Sequence, residues 1–183
     1  MGGFPVMDIR REPLQYLGNQ LIKRFIDLVL SLFSIFLVLT WLPIIVKIAQ
    51  VISYPGPLLF IQKRIGRDGK VFNLYKFRTM VFTNDYDSAK GGESEKTIKG
   101  DIRIPWFGQL LRKTNLDEYP QFLNVLMGSM SSVGPRPHMV GEDKILAEQV
   151  THYRVRRFVK PGITGLAAIK GYRGGTDDMS LMT

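Results

Sequence analysis

The sequence predicts an α+β chain, mostly helical, with a re-entrant membrane helix, interfacial amphipathic helices and a small β-hairpin. Three observations carry this. Residues 28–46 hold no charged side chain, basic residues flank that run on both sides, and two short β-prone stretches further on enclose an Asp-Gly turn.

The chain has 183 residues, enough for one ordinary domain, and 45% of them are apolar. As a straight helix, the uncharged run reaches about 28 Å, roughly the thickness of a bilayer core. A buried core helix of that kind is apolar on every side, and the remaining chain is too small to cover it. A secretory signal fits poorly, because the run starts late and no small-residue cleavage site follows it. There are no cysteines. Disulfides, thiol nucleophiles and thiolate metal sites are therefore excluded, and a cytoplasmic face is compatible.

The formal charge is +9, of which +7 falls in residues 1–83. Lys23 and Arg24 precede the apolar run; Lys47, Lys63, Arg64, Arg67 and Lys70 follow it. Anionic lipid headgroups attract such flanks. Nucleic acid attracts the same charges, but no reading motif accompanies them, so no nucleic-acid partner is expected. Both basic flanks prefer the cytoplasmic side. Pro43 reconciles them, because it donates no hydrogen bond and its ring clashes with the carbonyl of Leu39. A kink there returns the chain to the face it came from, and Thr40 is placed to satisfy a freed carbonyl. A tilted, kinked span remains the alternative.

In chain order, residues 1–18 read as a linker or the remnant of an upstream region, since Pro5, Pro13 and the glycines oppose a regular element. A helix is expected from Asn19 or Gln20 to about Ser53, where Tyr54-Pro-Gly-Pro57 breaks it. Leu58 to Gln62 and Val71 to Tyr75 form the hairpin around Arg67-Asp-Gly-Lys70. Residues 83–100 read as a polar surface loop. Pro105 opens a short amphipathic helix to Leu111, with Arg112 and Lys113 complementing its dipole. Asn115 and Glu118 have capping-box spacing. Pro120 either starts a second helix or kinks one already begun, and Phe122, Leu123, Val125, Leu126 and Met127 supply its buried side up to a stop at Gly128. Residues 132–137, SVGPRP, form a rigid turn holding Arg136. A polar helix covers 141–157, and 160–165 is rich in turns.

Asp117 and Glu118 are adjacent, so on a helix they diverge by about 100°. Different tasks follow: one carboxylate attacks, the other holds a metal or helps move a proton. A helix N-terminus favours their ionised forms, which bind Mg²⁺ and attack phosphorus. Capping is the plainer reading of Glu118. Lys76, Arg78, Asp101, Arg103 and Arg136 sit in turns or short elements, where arginine forks suit a diphosphate. His138 and His152, the only histidines, make a histidine metal site improbable. No Walker loop, dinucleotide fingerprint or serine triad is present.

Four stretches together resemble the bacterial sugar transferase family, the monotopic phosphoglycosyl transferases. They are KRFIDLVLS at 23–31, SYPGPLLFIQKRIGRDGKVFNLYKFRTM at 53–80, RKTNLDEYPQFLNVLMGSMSSVGPRP at 112–137 and VKPGITGLAAIKGYRGGTDD at 159–178. The likeness is strongest to undecaprenyl-phosphate glucose phosphotransferases of the colanic-acid type. It implies transfer of a hexose 1-phosphate from a UDP-sugar, expected to be UDP-glucose, to undecaprenyl phosphate, releasing UMP. That is the first step of exopolysaccharide assembly. Residue by residue, Asp117 is implied as the nucleophile and Glu118 as a Mg²⁺ ligand. Arg136 is implied in phosphate contact, with Lys76, Arg78, Asp101 and Arg103 around the anionic site. The resemblance also implies a re-entrant helix over 19–52 bent at Pro43, a cytoplasmic-face catalytic domain over 53–183 truncated at its C-terminus, and a place on the inner membrane. A homodimer is compatible. Two departures stand out: Leu42 precedes the kink proline where some relatives have Ser, and Asp101-Ile-Arg-Ile-Pro105 replaces Asp-Pro-Arg-Ile-Thr. UDP-galactose or another UDP-sugar is the enzymatic alternative. A basic membrane-surface scaffold is the non-enzymatic one.

Overall fold

A computed structural model describes residues 13–81 and 101–170. After a 3₁₀ turn at Pro13–Gln15, helix α1 (Leu17–Ser34) runs through a π-helical stretch, Ile35–Leu39, to helix α2 (Leu42–Ser53). Helix α1 thus begins at Leu17, two residues ahead of the expected start, and takes in Gly18. The two helical segments are bent by 48°. The break falls at Thr40 and Trp41, just ahead of Pro43, which sits in the first turn of α2. That is where a residue without an N–H is tolerated. Two side chains serve carbonyls on the approach: Thr40 Oγ1 donates to Phe36 O at 3.0 Å, and Trp41 Nε1 donates to Leu37 O at 2.6 Å. The sequence locates the cause of the bend, and the chain turns one step before it.

Among the described residues no single helix is long and apolar enough to cross a membrane; the bent pair passes that test only together. One side of the pair is packed. Val38, Leu42 and Val46 join Tyr54, Phe77, Phe107 and Leu111 in the main core. The other side leaves Phe25, Phe33, Phe36, Ile44 and Ile52 exposed. So large a patch marks an interaction surface.

Strands β1 (Leu59–Ile65) and β2 (Val71–Phe77) form the expected hairpin, antiparallel from Leu59↔Phe77 to Ile65↔Val71. Asp68 and Gly69 make the turn at φ 57° and 74°, the left-handed values that the Asp-Gly pair suits. Helix α3 (Trp106–Thr114) ends at Asn115 in the left-handed region. A 3₁₀ turn, Leu116–Glu118, follows, and then helix α4 (Gln121–Met127), which Gly128 closes at φ 86°. The capping box at Asn115 is not formed: Asn115 ends one helix instead of starting another, and its side chain makes no cap bond to the turn. The buried side of α4 is Gln121, Asn124 and Val125, whereas Met127 is exposed.

Strand β3 (Ser131–Val133) pairs in parallel with β4 (Gly162–Thr164), by way of helix α5 (Val140–Gln149) and the 3₁₀ stretch Tyr153–Phe158. The polar helix expected over 141–157 is therefore two elements, broken at Val150 and at His152, which has φ 62°. Segments read as turns are this sheet. A Cβ on Gly162 would lie 2.0 Å from Gly134 N, so only glycine permits that approach. A short helix α6, Leu166–Ile169, follows. The polar stretch 83–100 lies outside the described residues.

Candidate active site

The site forms where β2, the Leu116–Glu118 turn and the loop after β3 converge. Alternation along β2 puts Phe72, Leu74 and Lys76 on one face. Leu74 packs with Val125 and Met130, and Phe72 lies against them, so Lys76 emerges at the end of that apolar row. Asn124 fixes the approach of α4 by imitating a neighbouring strand: its Oδ1 accepts from Tyr75 N at 3.1 Å and its Nδ2 donates to Asn73 O at 2.7 Å. Leu116 and Tyr119 pack against the main core. The turn between them is thereby held beside Lys76.

Glu118 Oε1 accepts from Lys76 Nζ at 2.8 Å and from Arg136 Nη2 at 3.3 Å. Burial pushes the Glu118 pKa up, but Lys76 and Arg136 outweigh it and hold the carboxylate below its ordinary value. Burial draws the Lys76 ammonium down against the pull of Glu118. Asp117, only 9% exposed, behaves oppositely. Burial raises its pKa to about 6; Lys76 and Arg112 work against that rise, and Glu118 adds to it. The expectation that a helix N-terminus favours ionised Asp117 is thus corrected. The residue lies in a single 3₁₀ turn, and loss of water dominates.

Two neighbouring carboxyl groups with pKa values moved in opposite directions are suited to different tasks. Glu118 is a fixed anion. Asp117 is an acid that loses its proton near neutrality and then carries a poorly hydrated charge. The donor set fits one Mg²⁺. This ion uses one or two carboxylates and completes its shell with water and substrate phosphates. Lys76 and Arg136 both bond to Oε1, leaving Oε2 for such a role. Among the described residues, no group of three or more His, Cys, Asp or Glu side chains gathers to hold a metal by itself.

Lys76, Asp117, Glu118 and Arg136 are therefore together. Arg78 follows β2 but is buried, donating to Pro57 O at 2.8 Å, Met80 O at 2.7 Å and Tyr54 O at 2.7 Å. Its guanidinium also stacks 4.9 Å from the Tyr54 ring centroid. Those bonds tie the SYPGP loop to the end of the hairpin. Asp101 and Arg103 pair with each other, Nη2 to Oδ2 at 2.7 Å, and the Arg103 hydrogen bonds lower Asp101 to about 2. Arg112 is the neighbour that the sequence reading explained only by the helix dipole. It donates to Thr79 Oγ1 at 2.8 Å and lies within electrostatic reach of both Asp117 and Asp101. Its position at the end of α3, five residues ahead of Asp117, was the available signal.

The bent pair is bolted to this site. Arg24 donates to Val125 O at 2.7 Å and Leu126 O at 2.8 Å, at the negative end of α4. Buried Asp27 accepts from Ser131 Oγ at 3.0 Å and Ser132 N at 2.8 Å.

The sequence profile of the bacterial sugar transferases matches residues 18–182. This chain belongs to the bacterial sugar transferase family. This chain is 42% identical over 183 residues to the UDP-glucose:undecaprenyl-phosphate glucose-1-phosphate transferase of Escherichia coli strain K12, covering 100% of this chain and 38% of that protein. It is 41% identical to the protein of the same description from Klebsiella pneumoniae, with the same coverage of 100% and 38%. It is also 43% identical to an exopolysaccharide production protein of Rhizobium leguminosarum, over 85% of this chain and 77% of that one. The chain thus spans 38% of the length of these two relatives.

Proposed function

We propose that this chain transfers a hexose 1-phosphate, from UDP-glucose, to undecaprenyl phosphate and releases UMP. The observation that carries this reading is the pair Asp117 and Glu118, chemically opposed and set against Lys76 and Arg136. In the first step an Asp117 carboxylate oxygen attacks the sugar-bearing phosphorus. The bond from that phosphorus to the bridging oxygen breaks, and UMP leaves with the electron pair. A phosphosugar remains on Asp117 as an acyl phosphate. In the second step a phosphate oxygen of undecaprenyl phosphate attacks the same phosphorus, and the Asp117 carboxylate is regenerated. Burial makes the attacking carboxylate more nucleophilic by removing its water.

Arg136, half-exposed at the rim, contacts the donor diphosphate. Lys76 holds Glu118 in place and contributes positive charge. Asp117 and Glu118, together with the donor phosphates, would hold a Mg²⁺, which would supply positive charge against the diphosphate. The exposed apolar side of the bent pair sits in the cytoplasmic leaflet of the inner membrane as a re-entrant helix, next to anionic lipid. This places the acceptor's phosphate at the level of the site. A scaffold role leaves Asp117 without a reason to be buried beside three charged groups.

The test is UMP release by the detergent-solubilised protein with Mg²⁺, undecaprenyl phosphate and a panel of UDP-sugars. Release with UDP-glucose that needs both the lipid and Asp117 supports the reading. Release with a different UDP-sugar alone keeps the chemistry and changes the donor, while silence across the panel removes it.

A further inference from the structure

We propose that Arg156 is a positioning residue for Arg136, holding it in reach of the donor through a relay of His138, Tyr153 and Asp143. The proposal rests on the reading that Arg136 meets the donor phosphates. Arg156 lies in the 3₁₀ stretch Tyr153–Phe158, away from the carboxylates. Its fork grips the Arg136 loop at two points: Nη2 donates to the Arg136 carbonyl at 2.5 Å, and Nη1 lies 3.0 Å from His138 Nε2.

A guanidinium has donors only, so Nε2 accepts and the ring proton sits on Nδ1. Nδ1 then donates to the Tyr153 hydroxyl at 3.0 Å, whose own proton goes to Asp143 Oδ1 at 3.2 Å. The other Asp143 oxygen pairs with Arg157 Nη2. Tyr153 and Asp143 are both buried. Burial pushes the Tyr153 hydroxyl up to about 12, which keeps it a donor across the working pH range. Arg156 also stacks 5.0 Å from the Tyr153 ring centroid.

Neighbouring contacts fix both ends of the same loop. Pro135 O accepts from Gly162 N at 2.9 Å, and Ile65 N donates to His138 O at 3.1 Å. Pro135 and Pro137 stiffen the backbone between them. Arg156 fixes the tip, from which Arg136 crosses to Glu118 Oε1. A lysine at 156 keeps the charge but has no planar fork for two acceptors in fixed directions.

The test compares wild type, R156K, R136K and the double variant by steady-state kinetics in the UDP-sugar. R156K is expected to raise KM about tenfold with kcat changed less than about threefold, since misplacement of a binding group costs orders of magnitude at most. In the R136K background the same change is expected to cost less than about twofold, because the effect runs through Arg136. An equal cost in both backgrounds overturns the proposal. Y153F, which keeps the ring and removes the bond to Asp143, replaces R156K should that variant not fold, with a KM rise of about threefold expected. A structure of R156K, or of Y153F in its place, forms the second arm. Arg136 withdrawn from Glu118 supports the relay, and an unchanged contact overturns it. Wild-type silence toward every UDP-sugar removes the proposed function, and the structural arm still decides the relay.

Discussion

Asp117 carries the sharpest expectations at the scale of single residues. Its pKa stands at about 6 in the fold against an ordinary value of 3.8. An acid raised in this way favours the fold fully only below its unfolded pKa, and that contribution is lost as pH rises through about 6. Ionised Asp117 therefore costs stability at neutral pH, on the order of 1–3 kcal/mol. D117N is expected to abolish turnover, since an amide cannot form the acyl phosphate, and to melt at a higher temperature than wild type at pH 7.5. The gap in melting temperature narrows toward pH 4. A D117N protein no more stable than wild type at pH 7.5 would count against the buried charge. In wild type, turnover is expected to fall as pH drops through about 6, and a flat profile from pH 7.5 to 5 contradicts a nucleophile with this environment. Arg78 behaves differently: R78M leaves the carbonyls of Tyr54, Pro57 and Met80 without its bonds. A loss of about 3 kcal/mol in denaturant titration is expected, and an unshifted midpoint contradicts the structural role. The carboxylates, Lys76 and Arg136 were legible because charged side chains in turn-like settings suit phosphate chemistry. Arg78 was not separable from them. Its residue type is the same, and the carbonyls that occupy it are assembled only by the fold.

At the scale of elements, local chemistry was legible where it acts within a few residues. The Asp68-Gly69 turn, the breaker after Ser53, the stop at Gly128 and the disruption at Pro43 all belong here. P43A restores an N–H for the helical ladder and is expected to straighten the bent pair. Cysteine labelling at the two flanks in vesicles checks this. Loss of same-side labelling is expected, and unchanged labelling shows that Thr40 and Trp41 hold the bend without Pro43. The β3–β4 pair was illegible. Each strand has three residues, too few for alternation to show, and its glycines resemble turn punctuation. Their actual cause is a backbone contact between segments about thirty residues apart. G162A places a methyl group 2.0 Å from Gly134 N, so a loss of about 3 kcal/mol is expected in denaturant unfolding. A midpoint equal to wild type contradicts the close approach. The capping box misled for a related reason: the spacing at Asn115 and Glu118 is right, but Lys76 and Arg136 claim the glutamate.

The whole molecule joins an exposed apolar surface to a charged site, through the core that Val38, Leu42 and Val46 share with Phe77 and Leu111 and through polar contacts from α1. Arg24 and Asp27 on α1 hold α4 and β3, the two elements that lie between the carboxylates and the Arg136 loop. Under the proposed function, lipid covering the apolar face of the bent pair would thereby fix the height of Asp117 relative to the bilayer. The uncharged run was legible as an apolar face, and the adjacent carboxylates as a charged pair. Their mechanical union depends on buried polar contacts between residues about a hundred positions apart, which no local pattern records. Covalent loading of Asp117 is read out by mass spectrometry of the protein after incubation with UDP-glucose and Mg²⁺ and without lipid acceptor. One phosphohexosyl adduct is expected on the peptide containing Asp117, absent in D117N and discharged when undecaprenyl phosphate is added. Lipid-dependent turnover with an adduct on another residue, or with none formed, would contradict it.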